Sequence, residues 1–307
     1  MNVLFESFDL ITFIVGLGVL AALMLLNEFA RRSKYVALIS FIVIPIIFTI
    51  FVWPESTSQP GSTVNSWFHW AKLYSVLLAA LSCLAISYWK KAAANKYVLM
   101  LPAIILAINI AEAVLRDFQV YSINGLDNGM LLNGGSWNIM NGIAGILNII
   151  AISGWMGIFV SKGKTKDVIW PDQIWVWVIA YDIWNFAYTY NCVPDHSWYA
   201  GLLLLLSSVI PFLIIKKGAW FQHRAFTLAF WMMFVMSYPS FVDTSAYAVK
   251  TTNDESMLFL VSFIALLANV LLIGYHAYRI ITKKINPLKS EVYTDLEAYK
   301  VVVAENS

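Results

Sequence analysis

The sequence predicts an all-α, polytopic membrane helix bundle of about nine transmembrane helices, with the N-terminus outside and the C-terminus inside, on three observations. Apolar residues make up 60% of the 307-residue chain and charged residues only 12%, about half the charge of an ordinary soluble domain. Apolar stretches recur at the length a bilayer demands, roughly 20 residues at 1.5 Å each for a core of about 30 Å. The connections between these stretches alternate between strongly basic and nearly free of lysine and arginine.

The first stretch, 10–28, follows nine residues that carry Glu6 and Asp9 but no lysine or arginine. A secretory signal opens on a positive region, so this helix is expected to stay in the mature protein. The others are 35–53, 67–89, 97–115, 136–161, 171–191, 198–215, 221–242 and 257–278. Pro45, Pro102, Pro211 and Pro239 fall inside them, where a missing backbone bond bends a helix or frees a carbonyl beside a cavity. Trp53, Trp67, Trp70, Trp89, Trp170, Trp198 and Trp220 lie near the ends and read as interfacial anchors. Residues 1–280 thus form one transmembrane domain, and 281–307 a polar cytoplasmic tail.

Orientation follows from the basic residues. Arg31, Arg32 and Lys34 follow the first stretch, Lys90, Lys91 and Lys96 the third, Lys162, Lys164 and Lys166 the fifth, and Lys216, Lys217 and Arg224 the seventh. Arg279, Lys283, Lys284, Lys289 and Lys300 follow the ninth, so 17 of the 20 basic residues fall on one side. That side is the cytoplasm by the positive-inside rule. The other side has Arg116 and Lys250, with Lys72 near a helix end where its stem reaches the headgroups.

Several functions lose their basis. A net charge of +2 without a basic face gives nucleic acid nothing to bind. Cys83 and Cys192 have no metal-like spacing, and His69 and His196 fall outside while His223 and His276 fall inside, so no metal or cofactor is called for. Gly134-Gly135 lacks the lysine of a phosphate-binding loop, and the ninth helix has no buried lysine for a retinal.

The chemistry is expected on three consecutive helices, because polar groups inside hydrocarbon cost several kcal/mol unless satisfied. On the fourth, Asn109, Glu112 and Arg116 share a face, and Glu112 is positioned to pair with Arg116. On the fifth, Asn138, Asn141 and Asn148 run along a face with Gly142 and Gly145, a pattern that also serves as interhelical glue. On the sixth, Asp182, Asn185 and Thr189 repeat the spacing beside Tyr181 and Tyr188. Ser262, Asn269 and His276 on the ninth helix read as packing.

Two stretches, Ser136-Trp137-Asn138-Ile139-Met140-Asn141-Gly142 and Tyr181-Asp182-Ile183-Trp184-Asn185-Phe186 with Cys192-Val193-Pro194-Asp195-His196, resemble a bacterial family of multi-pass membrane proteins of unknown function. More weakly, the fifth to seventh helices resemble the last three-helix group of bacterial nicotinamide riboside transporters. In both, a Trp with a polar residue opens one helix, lysines follow, and an Asp lies midway along the next. That second resemblance implies facilitated transport through a polar and aromatic site, without carrying over a substrate.

The expected function is transport of a small polar or charged solute across a bacterial cytoplasmic membrane. Its site would comprise Asn109, Glu112, Arg116, Asn138, Asn141, Asp182, Asn185 and Tyr188 between the fourth, fifth and sixth helices, with a coupling proton or cation on Glu112 or Asp182. A ligand-binding sensor or accessory subunit is the alternative, and a membrane-embedded enzyme stands third.

Overall fold

The computed structural model describes residues 3–6 and 8–307. In chain order its principal helices are α1 (Leu10–Arg32), α2 (Lys34–Phe51), α3 (Trp67–Tyr88), α4 (Lys96–Val120), α5 (Ser136–Ile150), α6 (Trp175–Cys192), α7 (Pro194–Ile214), α8 (Trp220–Ser237), α9 (Glu255–Lys283) and α10 (Glu297–Asn306). Two small antiparallel hairpins interrupt them, β1 (Asn124–Asp127) with β2 (Met130–Asn133) and β3 (Phe159–Val160) with β4 (Val168–Ile169).

Six helices among the described residues, α1, α2, α3, α4, α7 and α9, are long and apolar enough to cross a membrane. Helices α5, α6 and α8 occupy the other three expected stretches but are shorter or more polar. Two of them, α6 and α8, are mostly buried, whereas α5 exposes Ile143, Ile146 and Ile150. Helix α6 touches α4, α5, α7 and α9, while α8 lies against α1, α3 and α7. Fifteen of the 18 residues of α8 are buried, so it has no lipid-facing stripe to make apolar.

One expected span is corrected. The stretch 136–161 is not one helix: α5 ends at Ile150, and Phe159–Val160 belongs to the β3–β4 hairpin. Gly154 makes the turn at φ +67°, and a Cβ there would sit 2.1 Å from the Cβ of Asp172, so both conformation and space demand glycine. The fourth stretch runs further than 97–115, continuing to Val120.

The tryptophan expectation also changes. Trp53, Trp170, Trp198 and Trp220 are buried in the protein, whereas Trp67 and Trp89 are exposed. Two of the buried indoles bond internally: Trp53 Nε1 donates to Ser237 Oγ at 2.9 Å and Trp170 Nε1 to the Ser153 carbonyl at 3.0 Å.

The tail is docked rather than free. The backbone N–H groups of Val292 and Tyr293 donate to the Asp172 carboxylate at 3.0 and 2.8 Å, and Ser153 Oγ donates to it at 2.7 Å. Asp295 pairs with Arg279 and Lys283, and Val302 of α10 packs on Ile169 and Ala219. Burial raises the Asp172 carboxyl above its ordinary value, while hydrogen bonds from Arg279 and Lys283 hold Asp295 well below it.

Candidate functional site

A cavity opens inside the bundle between α3, α4, α6, α7 and α8, lined by Lys72, Asn109, Tyr181, Asn185, Tyr188 and Arg224 among others. Two local features shape α7 beside it. Helix α7 contains a π-helical stretch, Ser197–Leu203, and such widened turns recur at functional sites. Within it Gly201 lets α7 approach α6, since a Cβ there would meet Thr189 Oγ1 at 2.1 Å.

On one wall Lys72 Nζ lies 3.0 Å from Glu112 Oε2, donates to the Asn109 carbonyl at 2.6 Å and reaches Asn109 Oδ1 at 3.3 Å. Ser75 Oγ donates to Glu112 at 3.1 Å, so the carboxylate has both a counterion and a hydroxyl. The expected Glu112–Arg116 pair is not formed: Arg116 Nη2 instead binds Asp127 on β1 at 2.6 Å. The i, i+4 spacing permits contact, but a turn of chain beyond α4 supplies a closer anion. Lys72 likewise does not reach for headgroups; its charge points into the protein.

On the opposite wall Arg224 is 6% exposed. Its Nε donates to Tyr181 Oη and its Nη2 to Asn185 Oδ1, both at 3.4 Å, and Nη1 has no partner. Tyr188 also lines the cavity, and its Oη is buried without a partner. Asp182 does not line the cavity, and its Oδ1 is buried and unpartnered on the same helix. At one end the His69 and His196 rings lie 5.2 Å apart. His196 Nε2 contacts Thr63 Oγ1 at 2.7 Å, and that hydroxyl donates to Asp243 at 2.6 Å; burial raises the Asp243 carboxyl.

Asn138 and Asn141 belong to a different cluster. Asn141 Nδ2 donates to Asp117 Oδ2 at 2.8 Å, Asn138 Nδ2 lies 3.4 Å from Asp117 Oδ1, and the Cys192 thiol donates to Oδ1 at 3.1 Å. Asp117 is 0% exposed. This closed knot ties α4, α5 and α6 together without opening into the cavity. Asn148 is glue of the same kind, donating to Asn269 Oδ1 at 2.9 Å.

Of the eight residues singled out from sequence, Asn109, Asn185 and Tyr188 line the cavity and Glu112 stands behind Lys72. Arg116, Asn138, Asn141 and Asp182 do not line it. Lys72, Arg224, His69 and His196 line the cavity although the sequence assigned them to a helix end, a basic loop and the outer face, and Asp117 was not singled out. His69, Lys72 and Ser75 sit at successive three-residue steps, a polar stripe legible on one face of α3. Arg224 had been counted among the loop charges, although it lies a full turn inside a helix that starts at Trp220.

These features define the class: a helical membrane protein whose bundle encloses a polar and aromatic cavity. The chain belongs to the family of unknown function DUF5692, whose profile matches residues 6–305. No curated protein and no solved structure matches it, so the likeness to nicotinamide riboside transporters gains no support from a named relative.

Proposed function

We propose that this protein is a transporter for a small polar or charged solute in a bacterial cytoplasmic membrane. The chain crosses nine times, with its N-terminus outside and its tail in the cytoplasm. The observation that carries the reading is the cavity: Lys72 and Arg224 are buried around an opening within the bundle, and ionisable groups at such depth mark solute or ion pathways. The nine-span reading draws support from the interior positions of α6 and α8, where protein neighbours relax the demand for length and apolarity. It draws further support from an alternation of basic residues that survives the removal of buried Arg224.

The solute site lies between α3, α4, α6, α7 and α8 rather than among the fourth, fifth and sixth helices alone. Asp182, with an unpartnered buried oxygen, carries the coupling proton or cation, and Asp182→Asn is expected to retain binding while losing concentrative uptake. The test is solute uptake by purified protein in liposomes under an imposed pH gradient. Flux supports the transporter, and pH-dependent accumulation by Asp182→Asn removes that carboxylate from the mechanism.

A sensor is the second reading, favoured by the docked tail, which joins the start of α6 to the end of α9 through Asp172 and Arg279. Saturable binding without flux supports it. A chemically changed ligand indicates an enzyme.

A further inference from the structure

We infer that the cavity binds a carboxylate monoanion with an apolar body, gripped by Arg224 and Tyr188. The inference rests on the reading of this cavity as the solute site, and it reverses the charge that the buried carboxylates suggest at first sight.

Arg224 carries the argument. A guanidinium does not deprotonate in proteins and is always cationic. Its two contacts here, to Tyr181 Oη and Asn185 Oδ1, are neutral and at the outer limit of hydrogen bonding, and Nη1 has none. Among the described residues no Asp or Glu oxygen lies within 4.0 Å of it. A buried cation without a counterion is strongly unfavourable, so this wall is incomplete until an anion arrives. Asp182 acts electrostatically on Arg224 but remains beyond ion-pair distance.

Three observations narrow the anion. Lys72, the other cation in the lining, is already neutralised by Glu112 at 3.0 Å, which leaves one free positive charge and therefore a monoanion; a phosphate monoester carries nearer two charges. The planar fork of arginine matches a carboxylate, with two parallel N–H donors. Tyr188 lines the same cavity, and its hydroxyl is a buried donor without a partner. Phe68, Leu204, Leu228, Trp231 and Met232 are also in the lining and suit an apolar body.

The test is calorimetric titration of the purified full chain with acetate, butyrate and benzoate, against butyramide, benzamide, benzylamine and inorganic phosphate. At least one carboxylate binds, and its amide binds at least about tenfold more weakly, because a site built around a charged donor rejects the analogue lacking its partner. Arg224→Lys keeps the charge but loses the fork, and Tyr188→Phe removes a single hydroxyl; both are mild enough to fold, and each weakens the carboxylate by several-fold or more. Binding of none of the three carboxylates, equal binding of carboxylate and amide, preference for benzylamine or phosphate, or indifference to both variants overturns the inference. Carboxylate binding without flux in liposomes refutes transport and leaves the inference standing. Flux of benzamide or benzylamine alone does the reverse.

Discussion

Replacing Lys72 with Met tests the interior electrostatics of the bundle most sharply. The ammonium loses Glu112 Oε2 at 3.0 Å and the Asn109 carbonyl at 2.6 Å, and Glu112 is left with only Ser75 Oγ at 3.1 Å. Both side chains of the pair are nearly nine-tenths buried, at 11% and 12% exposure. A neutral hydrogen bond is worth about 1 kcal/mol, but stranding one member of a buried pair costs about 3–5 kcal/mol, so the orphaned carboxylate decides the outcome. Lys72→Met is therefore expected to destabilise by about 3–5 kcal/mol, and Lys72→Met with Glu112→Met by less than about 2 kcal/mol, since the second substitution removes the stranded charge. Unfolding in mixed micelles titrated with a denaturing detergent, followed by tryptophan fluorescence, completes the cycle. Single-variant costs that add to the double variant within about 0.5 kcal/mol mean that the two side chains do not interact, and the account of this wall fails.

Asn141→Leu is expected to cost about 1–3 kcal/mol of stability by leaving Asp117 Oδ2 without its donor while leaving solute affinity unchanged, and Asn185→Leu to weaken affinity; thermal unfolding and titration of both variants check this, and lost affinity in folded Asn141→Leu contradicts the separation of the two clusters. Asp172→Ala removes the acceptor for the Val292 and Tyr293 amides, so their hydrogen exchange accelerates at least about tenfold. The depressed Asp295 carboxyl keeps its pairs with Arg279 and Lys283 at any pH above its ordinary value of 3.8 and loses them only as pH falls through its lower folded value; Asp295→Asn is thus expected to leave the shape of the pH profile of tail exchange, corrected for intrinsic rates, unchanged between about pH 5 and 8. Single cysteines at Ser58 and Thr252 are expected to label from outside with an impermeant reagent and those at Ser33 and Ser290 only after permeabilisation, with buried Cys83 and Cys192 silent.

Helices were legible at all nine positions, six of them long and apolar enough to cross a membrane, because apolar runs of bilayer length have few other uses, although the fifth ends at Ile150. Helix ends were less legible. Arg116-Asp117 looks like an exit from the membrane, yet Asp117 sits in a knot with Asn141 and Cys192, and Arg116 is held by a hairpin residue eleven positions on. The polar stripe of Asn138 and Asn141 was visible, but its carboxylate partner lies on another helix, and no local spacing reports that. Lys72 and Glu112, likewise, are 40 residues apart in sequence and meet only when α3 packs on α4. Arg224 was misread for a physical reason: near a helix end, a basic residue that sets topology and one that turns into a cavity have the same sequence signature.

The central claim is that solute passes through this cavity, and flux through Ala200→Trp tests it most directly. Ala200 lines the cavity from the π-helical stretch of α7, so an indole there fills the space without altering Arg224 or Lys72. Leu271→Trp on the exposed face of α9 is the control, at a position 65% exposed. In folded, monodisperse protein reconstituted into liposomes, the account predicts loss of both binding and uptake for Ala200→Trp and normal uptake for Leu271→Trp; undiminished uptake by Ala200→Trp contradicts it.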